Sequence, residues 1–289
     1  MSNKRAIYRI SIGYKGWWEG MDAKSASDNS PCFAKDGATL REYQKFIDTS
    51  VSNIFTPRLE AYAETVGADL VELTSLEYDT PEIAKKTWIY NAACTMKIYA
   101  LKDAYEKGYE EFLLVDHDIF IARDAGNIFE EVKEDGFYML PHEIPNKGYL
   151  DITKRHYGLD LTQTWNGGVI LAKGKAMSTV AKNIPYSMYA FLDRITWSKG
   201  YPFKVGNKKD TIDYAEGFAA NDEIVYPYLA FDSGEGVKDL NSKWNFLVYG
   251  LNDEMWDEAD RVNFLHFVGP SSKKAFEDKD FVEKFLSIF

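Results

Sequence analysis

Asp116 and Asp118 stand on either side of His117 at the end of an apolar run, in "EFLLVDHDIF" (111–120). Two carboxylates one residue apart can meet at a single point where a strand turns. They are hard oxygen ligands, suited to Mg²⁺ or Mn²⁺ rather than zinc. An ion held there would bridge to a diphosphate and offset its charge. Asp-x-Asp alone is a weak signal, since ordinary composition yields roughly one per chain of this length. A second copy, Asp278-Lys279-Asp280, lies in a charged segment with a helical pattern and reads as solvated surface. Only the first follows a buried-strand pattern directly. Its competing reading is a solvated turn after a core strand.

Other polar groups interrupt apolar segments further on. "TWNGGVILAKGKAM" (164–177) sets Asn166 before two glycines and a strand-like run. Such glycines allow close backbone approach to a ligand, or mark a simple bulge. "AANDEIVYPYLA" (219–230) places Asp222 and Glu223 at a helix start, where capping and the helix dipole already account for acidic residues. "NFLHFVGPSSKK" (263–274) buries His266 in an apolar run and follows it with Gly269, Lys273 and Lys274. A satisfied core histidine and surface lysines are the plain alternative.

The elements that must position these groups read as follows. "AIYRISIGY" (6–14) is a first strand and "ADLVEL" (68–73) a second. A helix spans 39–67 with a break near Pro57 and a C-cap at Gly67, and another spans 80–108, closed by Gly108. "EEFLLVDHDIFIA" (110–122) is the third strand. Its continuous apolar run suits a strand covered on both faces. Strand, helix, strand, helix, strand is the pattern of a parallel sheet. In such sheets ligands bind beyond the carboxyl ends of the strands, which is where Asp116 and Asp118 fall. Further strands are expected at 136–140, 167–172 and 263–269. Helices are expected at 175–199, at 212–229 and at the C-terminus. Residues 16–37 form a turn-rich loop of the length that function more often explains.

Composition narrows the class. The chain has 289 residues, 45% of them hydrophobic and 15% aromatic, and a formal net charge of −11. That balance argues against a nucleic-acid binder. Cys32 and Cys94 make no disulfide framework and no zinc spacing. No stretch approaches the ~20 apolar residues of a membrane span. The expectation is a soluble, cytoplasmic, single-domain protein over 1–289.

In this order, "FLLVDHDIFI", "WNGGVILAKG", "NDEIVYPYL", "SKWNFL" and "HFVGPSSKK" resemble segments of the GT-A glycosyltransferases, family 8 (the glycogenin and galactosyltransferase group) most closely. The resemblance covers about residues 84–274. It implies an α/β, Rossmann-like GT-A fold with a mainly parallel central sheet flanked by helices. It implies a nucleotide-binding half over about 1–122 and a donor-sugar and acceptor half over about 123–289. By the same resemblance Asp116, Asp118 and His266 hold the metal, usually Mn²⁺. Asn166 touches the donor sugar, Asp222 lies near donor sugar and acceptor, and Lys97 reaches the donor. His117 stands where small residues are commoner, Asn-Asp-Glu replaces Asp-Gln, and Lys273 comes one position late for HxxGxxK.

The implied activity is transfer of a sugar from a nucleotide-diphosphate donor, first of all a UDP-hexose, to a glycan or other hydroxyl acceptor, with retention. Ile10, Ser11 and Tyr14 lie at the sheet edge that would take the nucleotide, with Tyr14 placed to stack on the base. Lys273 or Lys274 would meet the leaving diphosphate. Asp222 or Glu223 remains available as a base. Trp17, Trp18 and Trp165 suit sugar faces, although each is individually more often core. Two rival functions remain. One is a nucleotidyltransferase, for which no Gly-rich phosphate loop is found. The other is a non-catalytic sugar-binding protein, which has no need for a converging metal triad.

Overall fold

Burial of both faces explains the apolar run that ends at Asp116. In the computed structural model, which describes residues 4–11, 46–86, 89–194, 221–249, 256, 258 and 261–289, strand β3 (Glu111–Asp116) is buried at every position except Asp116. It sits third in a six-stranded sheet with β1 (Arg5–Ile10), β2 (Asp69–Leu73), β5 (Gly136–Pro141), β6 (Trp165–Lys173) and β7 (Lys238–Asp239), ordered β2-β1-β3-β6-β5-β7. Only β6 runs against the others, so the sheet is mainly parallel. Tyr14, Trp17, Trp18, Cys32 and the loop over 16–37 lie outside the described residues.

Side chains alternate between two apolar layers. Tyr8, Phe112, Leu114, Met139 and Ile170 pack with Met96, Tyr99 and Leu101 of helix α3 (Ile89–Glu106), which follows helices α1 (Thr56–Val66) and α2 (Thr80–Lys86). Val180 of α4 (Gly174–Asn183) and Val225 and Leu229 of α5 (Asp222–Asp232) belong to the same layer. On the opposite face Ile7, Leu113, Val115 and Leu171 pack with Leu59 and Val66 of α1 and with Trp244. Among the described residues, apolar layers cover both faces of the central strands β1, β3, β5 and β6.

The expected helix over 39–67 is described from Phe46. A π-helical stretch, Ile47–Phe55, changes to α geometry at Thr56. Pro57 falls in the first turn of α1, where a missing N–H costs little. The break is therefore a change of helix type rather than an interruption. Gly67 closes α1 at φ +67°, as expected of a left-handed C-cap. The described parts of the expected 175–199 helix are α4 and a short turn at Met188–Leu192. Helix α6 (Lys279–Ile288) closes the chain, and Asp278 caps it by accepting from the N–H groups of Asp280 and Phe281. The second Asp-x-Asp is thus a helix cap.

The expected single strand over 110–122 is two strands. After Asp116 the chain turns at His117-Asp118, and β4 (Ile119–Ile121) leaves the main sheet. It joins a three-stranded sheet, β4-β9-β8, with β8 (Phe246–Val248) and β9 (Phe264–Phe267). A cluster of aromatic rings fixes this second sheet, with Phe120 against Phe55 and Phe285, and Phe267 against Phe276. The late strand "NFLHFVG" therefore lies outside the main sheet. No helix among the described residues is long and apolar enough to cross a membrane.

Candidate active site

Three segments converge at the carboxyl edge of β3. Ile10 pairs with Asp116, so the end of β1 and Ser11 beyond it border the same edge. Because β6 is reversed, its first residues lie there too, with Val169 opposite Val115. Its pairing with β5 breaks register between Met139 and Leu140, so Asn166 faces Leu140 after Ile170 has faced Met139. Finally β9 lies antiparallel to β4 with His266 opposite Ile119, and the N–H of Phe267 donates to the carbonyl of Asp118 at 3.1 Å.

These contacts bring Asp116, Asp118 and His266 together. One ligand atom from each lies within 4.8 Å of the others. Nε2 of His266 faces Oδ1 of Asp118 at 3.4 Å. That Oδ1 is buried and has no hydrogen-bond partner, a condition that normally costs ~1–3 kcal/mol. Its other oxygen, Oδ2, meets Nζ of Lys273 at 2.7 Å. An orphaned, buried carboxylate oxygen beside a second carboxylate and an imidazole nitrogen is a donor set that fits Mn²⁺, with Mg²⁺ as the harder alternative.

Lys97, on α3, joins the second acidic pair. Its Nζ lies 2.7 Å from Oδ1 of Asp116 and 3.0 Å from Oδ2 of Asp222. Burial alone would lower the lysine pKa, but the two carboxylates hold it well above the ordinary range. Asp116 behaves the opposite way. Burial pushes its carboxyl up to about 6, the Lys97 ammonium pulls it down and the Asp118 charge pushes it up again. Asp118 titrates well below a normal carboxylate; burial opposes this, and the Lys273 ammonium overcomes it. His117 is pushed down to about 3 by burial and stays neutral.

Asp222 and Glu223 occupy the first turn of α5, with Asn221 as N-cap accepting from the N–H of Glu223 at 2.8 Å. The capping explanation thus holds for Asn221, and it leaves both carboxyls facing β6. Oε1 of Glu223 accepts from Nδ2 of Asn166 at 3.0 Å and from the N–H of Gly167 at 3.1 Å. The Tyr149 hydroxyl also lies against it. Burial, then the Asp222 charge, raises Glu223 to about 7. The two glycines follow from this crowding. A Cβ at 167 would run into the carboxylate of Asp222, and one at 168 into the ring of His266. Neither glycine has a positive φ, so the close approach, accompanied by the register break, is their structural reason.

Some expected residues do not reach the cluster. Lys274 is exposed, and Lys273 alone of the pair contacts Asp118. The one-residue delay in the late motif is absorbed by the helical turn Gly269–Lys274. The Ile10 side chain is core, which leaves its backbone as the available contact. Trp165 is buried, donates its indole N–H to Asp239 at 3.2 Å and is no platform for a sugar. Sequence reasoning gave no role to Asn245, which is fully buried between Asn166 and His266. Its signals were an amide among the aromatic and apolar residues of "WNFL" and its place in "SKWNFL", one of the segments that carry the resemblance.

No family model and no curated protein matches the chain. Among solved structures it is similar to a glycosyltransferase involved in glycosylation of the major capsid of PBCV-1, at 15% identity and TM-score 0.44 over 96% of this chain and 99% of that one. It is also similar to the galactosyltransferase LgtC in complex with donor and acceptor sugar analogues, at 12% identity and TM-score 0.43 over 98% and 96%. A third similar structure is mouse xyloside xylosyltransferase 1, at 9% identity and TM-score 0.41 over 92% and 98%.

Proposed function

We propose that this chain is a GT-A glycosyltransferase that moves a sugar from a nucleoside-diphosphate donor, first of all a UDP-hexose, to a hydroxyl of a glycan or other acceptor. The observation that carries the reading is the orphaned Oδ1 of Asp118, buried beside Asp116 and Nε2 of His266 at the carboxyl edge of a mainly parallel sheet. Asp116, Asp118 and His266 would hold Mn²⁺ or Mg²⁺, which when bound supplies Lewis-acid neutralisation of the diphosphate. The backbone of Ile10 and Ser11 would serve the nucleotide side; Tyr14, outside the described residues, is assigned to the base by the sequence resemblance alone. His117 and Gly269 would serve the diphosphate side. Asn166, Asp222 and Glu223 flank the sugar side, and Lys97 ties Asp222 to Asp116. Both proposed halves of the chain, about 1–122 and 123–289, contribute, which is the reason to read it as one catalytic unit.

In the retaining course we favour, the bond from the sugar C1 to the phosphate oxygen breaks and a bond from the acceptor oxygen to C1 forms on the same face. The acceptor proton passes to the departing phosphate oxygen. Lys273, already in the cluster, would offset charge on that diphosphate.

The test is a panel of nucleotide sugars scored by thermal shift with and without Mn²⁺. A donor at 100 times its Kd should add roughly 2.7 kcal/mol of stability. Cation-dependent stabilisation by a nucleotide sugar, followed by product with the anomeric configuration of the donor by NMR, is the expected result. Sugar binding indifferent to cation would favour a carbohydrate-binding protein. Release of pyrophosphate from a nucleoside triphosphate and a sugar phosphate would favour a nucleotidyltransferase.

A further inference from the structure

A hydrogen-bond chain of fixed polarity ends on the imidazole of His266. It starts at two backbone donors, which can only donate. The N–H of Gly168 donates to Oδ1 of Asn166 at 2.9 Å, and the N–H of Gly167 donates to Oε1 of Glu223 at 3.1 Å. The Asn166 amide is oriented by these two contacts. Its oxygen faces Gly168, and its nitrogen donates to Glu223 at 3.0 Å. The neighbouring amide must then present its nitrogen to the same oxygen, and Nδ2 of Asn245 lies 2.8 Å from it. That leaves Oδ1 of Asn245 facing Nδ1 of His266 at 3.0 Å. An amide oxygen can only accept, so Nδ1 carries the proton. In the neutral ring Nε2 is then a bare lone pair, 3.4 Å from the unpartnered Oδ1 of Asp118.

We propose that Asn245 is a positioning residue that locks His266 in its Nδ1–H tautomer and thereby presents Nε2, with Asp118, to a divalent cation. Two electron-rich atoms facing each other in a buried site carry an unpaired-group penalty that a cation between them removes. The local fold aims Asn245 at this point. Residues Ser242–Trp244 form a 3₁₀ turn anchored by buried Trp244 against Phe264. Strand β8 then begins at once and runs beside His266, with Leu247 as its register partner. The chain of amides also links the carboxyl on the proposed sugar side, Glu223, to the proposed metal ligand. A ligating histidine whose other nitrogen donates to a fixed acceptor is a recurrent metal-site device, and loss of such a partner typically costs 10–100-fold in metal affinity.

The inference rests on the cation part of the proposed function, and the experiment separates the two. Long-range ¹H–¹⁵N NMR of the cation-free protein at pH 8, with His266 assigned through His266→Gln, reads the tautomer directly. Mn²⁺ affinity is measured by calorimetry. We expect protonated Nδ1 and bare Nε2 in the native chain. Asn245→Leu should release the tautomer and weaken Mn²⁺ binding 10–100-fold. Asn245→Asp keeps an acceptor toward Nδ1 and should keep the tautomer. The native spectrum and the Asp variant decide the matter if the Leu variant fails to fold. An Nε2–H tautomer in the native chain, or a folded Asn245→Leu variant with native Mn²⁺ affinity, overturns the inference while leaving the site. Absence of Mn²⁺ binding by the native chain overturns the cation reading itself, and the inference with it.

Discussion

Gly168 and His266 touch with no room for a methyl group between them. A Cβ at position 168 would enter the imidazole ring and would also come within 3.0 Å of Oδ1 of Asn166. The second glycine of "WNGG" is therefore a cradle for the histidine. Gly168→Ala should destabilise the protein by ~1–3 kcal/mol, the usual cost of overpacking a dense interior. It should also displace the ring and weaken Mn²⁺ binding. Denaturant melts together with Mn²⁺ titration check both effects. Native Mn²⁺ affinity in the alanine variant would show that the ring does not need this seat.

The two Asp-x-Asp segments should respond differently to the same substitution. Asp118→Asn removes the charge facing Lys273 and His266 and should lower Mn²⁺ affinity by at least about 100-fold. Asp278→Asn should change neither Mn²⁺ binding nor stability, because Asp278 caps α6 and asparagine caps a helix about as well. Asp278→Ala should cost ~1 kcal/mol through the lost cap alone. Equal Mn²⁺ affinity in Asp118→Asn and Asp278→Asn would remove Asp118 from the site.

Lys97 holds two carboxylates in a largely buried pocket. Lys97→Met would leave Asp116 and Asp222 facing each other without a cation, and breaking a buried pair from one side costs about 3–5 kcal/mol. Mn²⁺ would replace part of the missing charge. The rise in Tm on adding Mn²⁺ should therefore be larger in Lys97→Met than in the native chain. An equal rise would mean that Asp116 does not sense the cation.

Glu223 gives a pH dependence of defined sign. Its carboxyl titrates at about 7 in the folded protein against 4.5 ordinarily, because burial and the Asp222 charge disfavour ionisation. Between those values the folded state binds more protons than the unfolded state, so the contribution to stability is full below about pH 4.5 and is lost as pH rises through 7. After allowance for solvent screening of a half-buried carboxyl, the loss is on the order of 2 kcal/mol. Glu223→Gln cannot ionise. Its stability relative to the native chain should therefore rise between pH 5 and pH 8 in urea melts at both values. A constant difference would mean that Glu223 titrates normally.

Much of this was legible in the residues because local physics dictated it. The continuous apolar run of 112–115 suited a strand covered on both faces, and the structure buries that strand up to Asp116 at its carboxyl end. Gly67 and Gly108 marked helix ends through their freedom at positive φ, 67° and 76°. Asp278 read as surface because its neighbours are charged. The division of 110–122 into β3 and β4 was not legible, since a turn through His117-Asp118 carries no glycine or proline to announce it.

Residue types and their order fixed which groups were able to do chemistry: paired carboxylates after a core strand, an asparagine before two glycines, a histidine in an apolar run. Which of them meet was decided by tertiary structure alone. The reversal of β6 brings Asn166 to the edge where β3 ends, and the departure of β4 into a second sheet carries His266 to Asp118 across 148 positions of chain. Lys273 rather than Lys274 faces the cluster because a helical turn sets its direction. Asn245 acquires its place only from the order of strands in the second sheet. Contacts between distant segments depend on strand direction and register, and these are set by packing of whole layers, which no local pattern of residues encodes.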